Sequence, residues 1–481
     1  MNWLSRAVAI PIAACLFLGG CVVGPNYSKP AAPAPPTFKE APPSSFKEGD
    51  GWKTAQPSDQ ALRGDWWTMF NDPQLSALET QVDSANQTLK AAEANYRAAR
   101  SAVLFARGNQ YPTITTQPSI SAVHESVGKT SDGQVVRTGP GSFSLPVDLS
   151  WEVDLWGRLR RAVTSAKELA EASSADLENA RLSLHAELAI DYFELRSADA
   201  QEKLLDETIK AYTRALQLTQ DRYDGGAAPK SDVTQARTQL ETARVQRTDV
   251  EVERSQFEHA IAILTGKPPS ELAVPSSPVT TGPPAIPDIP GMVPSQLLER
   301  RPDIASEERR MASANEQIGI AQAAFYPTLN LSGLAGFGSG SLVEWFAWPS
   351  RLWAVGPSLT QTLFDAGRRR ASNDIAIANY DASVANYRQA ALSAFQQVED
   401  NLAALRVLEV ESQQQKEATA AAEQSLVLFQ TRYEGGVDTY LQVVTYQTVA
   451  LQNQRAEIDL MRRRLDASVL LVKALGGGWH A

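Results

Sequence analysis

The chain has 481 residues, a formal net charge of −10 and a mean hydropathy of −0.26, which excludes a bundle of membrane-spanning helices. The acidic balance argues against a nucleic-acid partner, which needs a basic face. Two cysteines and four histidines leave little material for a zinc module, a disulfide scaffold or a Cys/His redox centre, so no metal or catalytic group is expected.

Residues 1–20 read as a secretory signal: Arg6 supplies the positive end, and Ala7–Leu18 is an apolar run too short for a bilayer core of roughly 30 Å. Leu18-Gly19-Gly20-Cys21 looks like a bacterial lipobox. That resemblance implies a covalent lipid on Cys21, the first mature residue, and no other cofactor. The rival reading is an ordinary signal peptide with an incidental cysteine. Cys15 lies in the discarded segment, so disulfides contribute nothing. Val22 stands where an aspartate favours inner-membrane retention in enteric lipoproteins, and the resemblance therefore points to the outer membrane. Residues 21–60 form a Pro-rich tether, with eight prolines from 22 to 60.

The remainder is one pattern written twice: residues 61–266, a Pro-rich linker at 267–294 with nine prolines, and residues 295–481. Tyr111-Pro112-Thr113 recurs as Tyr326-Pro327-Thr328, 215 residues on. Leu155-Trp156-Gly157-Arg158 recurs in outline as Asp365-Ala366-Gly367-Arg368, and Arg222-Tyr223-Asp224-Gly225-Gly226 as Arg432-Tyr433-Glu434-Gly435-Gly436, both 210 residues on. Two copies make a duplication, not a solenoid. Each half opens with a helical stretch, at Gln74–Arg107 and Val293–Ala324. Strand hairpins follow at about 111–155 and 326–366, then helical hairpins at about 157–265 and 367–476. Phe143–Leu155 alternates strictly, with Phe143, Leu145, Val147, Leu149, Trp151, Val153 and Leu155 on one face. Its partner is Thr113–Glu125, across a Gly-rich turn near 128–141. Thr328–Phe337 and Trp353–Leu363 form the second hairpin, and the loop between them carries Trp345, Phe346, Trp348 and Trp353. Arg158–Tyr223 and Arg368–Tyr433 contain no proline and read as helices of roughly 100 Å at 1.5 Å per residue. Both end at Gly-Gly, before second helices at Ser231–Leu264 and Leu441–Leu475. Helices this long need coiled-coil packing.

Strands of ten to thirteen residues with one apolar face suit a tilted transmembrane strand, although a soluble sandwich shares the pattern. Four strands cannot close a barrel, and open edges do not occur in lipid. Two chains give eight strands and a filled interior; three give twelve and a lumen. A trimer also rings its helical hairpins into a tube.

The chain resembles the TolC-like outer membrane factor family, in the NodT-type branch of efflux lipoproteins. The resemblance is carried by Leu297-Leu298-Glu299-Arg300-Arg301-Pro302-Asp303-Ile304, Glu308-Arg309-Arg310, Ala314-Asn315, Gln317-Ile318-Gly319 and Ala323-Ala324-Phe325-Tyr326-Pro327. Val355-Gly356-Pro357-Ser358-Leu359 and Leu363-Phe364-Asp365-Ala366-Gly367-Arg368-Arg369 extend it. It implies a mainly α fold with transmembrane β structure: a homotrimer, four strands per chain in a twelve-stranded barrel, a periplasmic α-barrel and a small equatorial domain. It further implies an outer-membrane location, and as partners a periplasmic adaptor (a membrane fusion protein) and an inner-membrane RND-type transporter.

Pro302 with Asp303 is helix-start chemistry, and Arg300-Arg301 before it reads as ion pairing. In relatives the Gly-Gly tips form the periplasmic entrance and meet the adaptor. Tyr223, Gly225, Gly226, Ser231 and Asp232 match that pattern in the first copy; Ala227 and Pro229 depart from it. Tyr433, Gly435, Gly436, Asp438 and Tyr440 match in the second. Gln442 and Thr445 occupy the entrance-gate positions where relatives often carry an aspartate. Asp232 and Asp438 are candidate sources of cation selectivity, or simply residues that stabilise helix ends. The aromatic loop residues belong to a belt at the lipid boundary or to a constriction of the outer mouth.

The expected function is the exit duct of a tripartite efflux system for small toxic compounds. The alternatives are a duct for type I protein secretion and a non-pore periplasmic coiled-coil scaffold. A hydrolase is the weakest reading, because His124, His185, His259 and His480 have no motif context and no P-loop or nucleophile elbow is present.

Overall fold

A computed structural model describes residues 22–32, 35, 38–40, 64–122, 142–276 and 300–477. Cys21, the turn at 128–141 and most of the Pro-rich linker lie outside the described residues. Seven helices longer than one turn are described: α1 (Pro73–Ala85), α2 (Gln87–Gly108), α3 (Arg158–Asp224), α4 (Lys230–Leu264), α5 (Pro302–Ala323), α6 (Arg368–Glu434) and α7 (Tyr440–Ala474). None is long and apolar enough to cross a membrane. The strands are β1 (Thr113–Thr116), β2 (Ser119–Ser121), β3 (Ser142–Val153), β4 (Thr328–Ser339) and β5 (Arg351–Thr360).

The internal repeat is exact at the helix ends. α3 and α6 have 67 residues each, α4 and α7 have 35 each, and every terminus recurs 210 residues later. Glycines with positive φ recur at the same offset: Gly157 and Gly367, Gly226 and Gly436, Gly266 and Gly476.

Three boundaries differ from the sequence expectation. The helix expected over 74–107 is two helices, broken at extended Asn86. The Asn86 carboxamide accepts from Leu89 N (3.0 Å) and donates to Leu264 O at the end of α4 (2.9 Å), so its side chain replaces helical hydrogen bonds. The strand expected over 113–125 is two short strands separated by Gln117-Pro118, because proline donates nothing to a ladder. β5 begins at Arg351, two residues before the expected start at Trp353, so Trp353 lies within the strand.

Two compact units are present, and each takes residues from both sequence halves. The first comprises 1–31, 95–173 and 307–387. It contains the sheet, antiparallel throughout in the order β1-β3-β4-β5, with β2 continuing beside β3. Residues 22–31 are fastened to its helices. Arg161 is buried and donates to Val23 O and to Glu316 (2.7 Å each). Asn315 donates to Pro25 O (3.2 Å), and Tyr27 donates to Glu308 (3.0 Å). A side chain on Gly24 would run into the Gly319 backbone, and one on Gly319 into the Arg161 side chain.

The second unit comprises 32–94, 174–306 and 388–481. Its core gathers Trp66, Trp67, Phe70, Leu75 and Val82 against Leu188, Tyr192 and Phe193 of α3. Asp72 caps α1 through Gln74 N and Leu75 N (2.8 and 3.0 Å) and accepts from Tyr192 (2.6 Å). Lys39 N and Glu40 N donate to Glu399 (2.6 and 2.8 Å), and Glu40 pairs with Arg406 (2.6 Å). The Pro-rich segment expected as a tether is therefore stitched to helices at residues 23–29 and 39–40. Arg301 forks onto Asp303 (3.0 and 2.6 Å) and donates to Ala474 O (2.9 Å) at the end of α7, so the Arg-Pro-Asp run is a helix start with an ion pair.

Candidate channel wall and helical tips

The strand register sorts the sheet into two faces. Paired residues of antiparallel strands point the same way. Leu149 lies beside Ile114 and Gly333, and Gly333 beside Val355. Trp151 lies beside Leu331, and Leu331 beside Pro357. Val153, Leu329 and Leu359 complete the next row. Ile114, Ile120, Val147, Leu149, Trp353, Val355 and Leu359 of this face are all exposed on the single chain. The opposite face carries Thr113, Thr115, Ser144, Asp148, Ser150, Glu152, Asn330, Ser332, Ser358 and Thr360, with Pro146, Leu334, Leu352 and Ala354 as apolar exceptions. β3 and β4 have 12 residues each, enough to cross a bilayer core at a tilt.

Aromatic rings border the apolar face at both ends. Nearest the helices, Trp151 donates to Gln110 O (3.0 Å), and Trp156 donates to Pro327 O (2.8 Å) and stacks on Tyr326 at 4.7 Å. At the far end Trp345 packs on Phe143 (5.5 Å), and Phe346 packs on Trp345 (4.9 Å) and Phe337 (5.8 Å). Phe143 and Phe337 both belong to the apolar face. Trp345 and Phe346 of the loop thus pack against residues of the apolar face.

The two helical hairpins close with the same turn. Gly226 N donates to Tyr223 O (2.9 Å) and Ala227 N to Arg222 O (2.7 Å). Gly436 N donates to Tyr433 O (3.0 Å) and Val437 N to Arg432 O (2.9 Å). These are paired Schellman bonds, and Gly226 and Gly436 hold φ of 72° and 75°, which a side chain resists. Gly225 and Gly435 precede them in each turn. Tyr223 is exposed, whereas Tyr433 and Tyr440 are buried with ring centroids 5.2 Å apart. Ser231 and Asp232 start α4; Gln442 and Thr445 are exposed on the first turns of α7.

One pair of tip residues escaped the sequence reading. Arg222 donates to Tyr433 O (2.8 Å) and lies over the Tyr433 ring (4.6 Å), joining the first tip to the second. Its repeat counterpart, Arg432, instead pairs with Asp438. The position matching Asp438 in the first copy is Ala228, so nothing local holds Arg222 back. Comparing the two copies for unmatched charges finds this asymmetry. Asp438 is thereby paired, while Asp232 accepts from Ser231 (3.4 Å) and has no ion pair among the described residues.

A buried charge cluster docks α1 on α3. His185 Nδ1 lies 2.7 Å from Glu79 and Nε2 3.4 Å from Asp83; Trp67 stacks on the ring at 4.5 Å. Arg181 also pairs with Asp83 (3.2 Å). Burial works against a charged His185, but its bonds to Asp83 and Glu79 outweigh burial and push it up to about 9. Burial pushes Glu79 up to about 7, while the His185 bond holds Asp83 below the ordinary carboxylate value. No group of metal-ligating side chains exists among the described residues.

The sequence matches the family described as outer membrane efflux protein, over residues 71–267 and 293–477. It is 31% identical over 466 residues to the toluene efflux pump outer membrane protein TtgC of Pseudomonas putida, covering 96% of this chain and 94% of that one. The fold is similar to the outer-membrane channel OprN, at 30% identity and a TM-score of 0.84, covering 95% of this chain and all of that one. It is also similar to the open state of the Neisseria gonorrhoeae MtrE outer membrane channel, at 27% identity and a TM-score of 0.79, covering 95% and 98%.

Proposed function

The chain belongs to the outer membrane efflux protein family, and from that premise we propose that three copies close one pore, each supplying four strand positions to a twelve-stranded barrel. The chain is the outer-membrane exit duct of an efflux system, not an enzyme. The observation that carries the trimer is the sheet itself: its apolar face is exposed, and among the described residues β1/β2 and β5 have no strand partner on their outer sides. Lipid offers no donors or acceptors to such edges, so another copy must cover them. The helices agree. α4 exposes Val245 and Val252, and α6 exposes Val407, Val410, Val427 and Leu428, apolar stripes that a neighbouring copy covers.

The duct takes small toxic compounds from a periplasmic adaptor and an RND-type inner-membrane transporter. The tips around Gly225-Gly226 and Gly435-Gly436 meet the adaptor and form the entrance. Gln442 and Thr445 line that entrance, and Asp232 is one of its acids without an ion pair among the described residues. Cys21 carries lipid that anchors the mature chain beside the barrel. A coiled-coil scaffold needs no continuous apolar face across five strands. Deleting the chain in a strain without redundant ducts sensitises the host to several unrelated compounds. Unchanged susceptibility there would sink the efflux reading.

A further inference from the structure

The apolar face of the sheet carries one charge. The register places Arg351 opposite Phe337 and therefore on the same side as Phe143, Leu145, Trp353 and Val355. Every other described residue on that side of β1–β5 is uncharged. Arg351 sits at the end of the sheet remote in sequence from α5 and α6, where the β4–β5 loop turns back. In an outer-membrane duct whose helices lie in the periplasm, that end is the outer leaflet.

A cation on a lipid-facing surface is costly unless it reaches an anion at the interface. Among the described residues none is supplied: Arg351 has no ion pair there, and the β4–β5 loop's one carboxylate, Glu344, contributes only its main-chain carbonyl, to Ser350 and Ala347. The guanidinium is held 3.7 Å over the Trp348 ring, which fixes its plane while leaving its N–H edge free. In the β4–β5 loop and on β5, Leu342, Val343, Phe346, Trp348 and Trp353 are all exposed, Val343 at 93%. The result is a planar donor fork at the rim of an apolar platform, continuous with the membrane-facing wall. A fork of this kind matches phosphate bidentately, and the platform matches acyl chains.

We propose that Arg351 and Trp348 bind the phosphate of the outer-leaflet glycolipid, with its acyl chains against Leu342, Val343 and Phe346. The site rests on the apolar face being the membrane-facing wall. One glycolipid per chain would then seat the outer rim and set its depth in the bilayer.

The test is native mass spectrometry of the purified full-length protein titrated with diphosphorylated lipid A, dephosphorylated lipid A and phosphatidylglycerol. Wild type is expected to retain diphosphorylated lipid A in preference to the other two. R351Q should weaken that binding tenfold or more, the loss of about one charge-assisted pair. W348A should weaken it less. Dephosphorylated lipid A should bind wild type and R351Q alike. If R351Q does not insert, R351K carries the test: it keeps the charge but not the fork, and should bind several-fold more weakly. Equal lipid A binding by wild type and the arginine variants would overturn the site, as would phosphatidylglycerol binding as tightly as lipid A. Single-channel conductance of R351Q should equal wild type, which separates failure of this site from failure of the duct.

Discussion

Replacing His185 with glutamine removes the cation that holds Glu79 and Asp83 together under α1. In the folded chain His185 is raised from an ordinary 6.5 to about 9. A difference of about 2.5 units at about 1.36 kcal/mol each is about 3 kcal/mol of docking. A raised group contributes fully below its unfolded value and loses that contribution as pH climbs through the folded one. The His185 contribution is therefore intact below about 6.5 and gone above about 9. Glu79 is raised to about 7, so its burial is tolerated best when protonated and also weakens docking as pH climbs through about 7. Asp83 is lowered, and its contribution is lost only in acid, outside this window. The two buried groups are one coupled pair and are not summed. The assay is hydrogen exchange of the α1 amides around Leu75, Leu78 and Val82, corrected for intrinsic rates. Near pH 7, H185Q should exchange there roughly a hundredfold faster than wild type, and the two should converge toward pH 9.5. Equal protection at pH 7, or wild-type protection that stays flat up to pH 9.5, would refute the reasoning.

Three further outcomes follow from the geometry. R161A leaves Glu316 buried without its partner and frees Val23, at a cost of about 3–5 kcal/mol; limited proteolysis within residues 22–31 should accelerate, and R161A/E316Q should recover part of the loss. G436V forces a branched side chain into a φ of 75°; thermal unfolding should register a loss of about 1–2 kcal/mol, whereas V437A beside it should be near neutral. C21S should weaken anchoring while the barrel still inserts, read by urea extraction of outer membranes; complete release would count against transmembrane strands.

The helix ends and tips were legible because their determinants are local and written twice. Gly226 and Gly436 terminate helices by backbone conformation alone, and the 210-residue offset marks both turns. Strict alternation made β3 legible for the same reason. Asn86 was not legible, since its break depends on Leu264 O, supplied from 178 residues away. Nor was the docking of residues 22–40, where composition describes an extended chain but not its partners Arg161, Glu308 and Glu399. The start of β5 at Arg351 is not legible because Leu352 and Ala354, on the face opposite Trp353, are themselves apolar and blur the period. His185 had no motif context because its partners Glu79 and Asp83 lie in another helix.

The most direct test of the central claim is single-channel recording of the purified protein in planar bilayers, with wild type compared to R222A/D438A. Wild type should conduct weakly, because Arg222 ties the first tip to Tyr433 O and Asp438 holds Arg432 in the second. The double variant should show a clearly larger conductance in the same orientation. No conductance from either protein, under any voltage at which the bilayer survives, would contradict a trimeric duct closed at its helical tips.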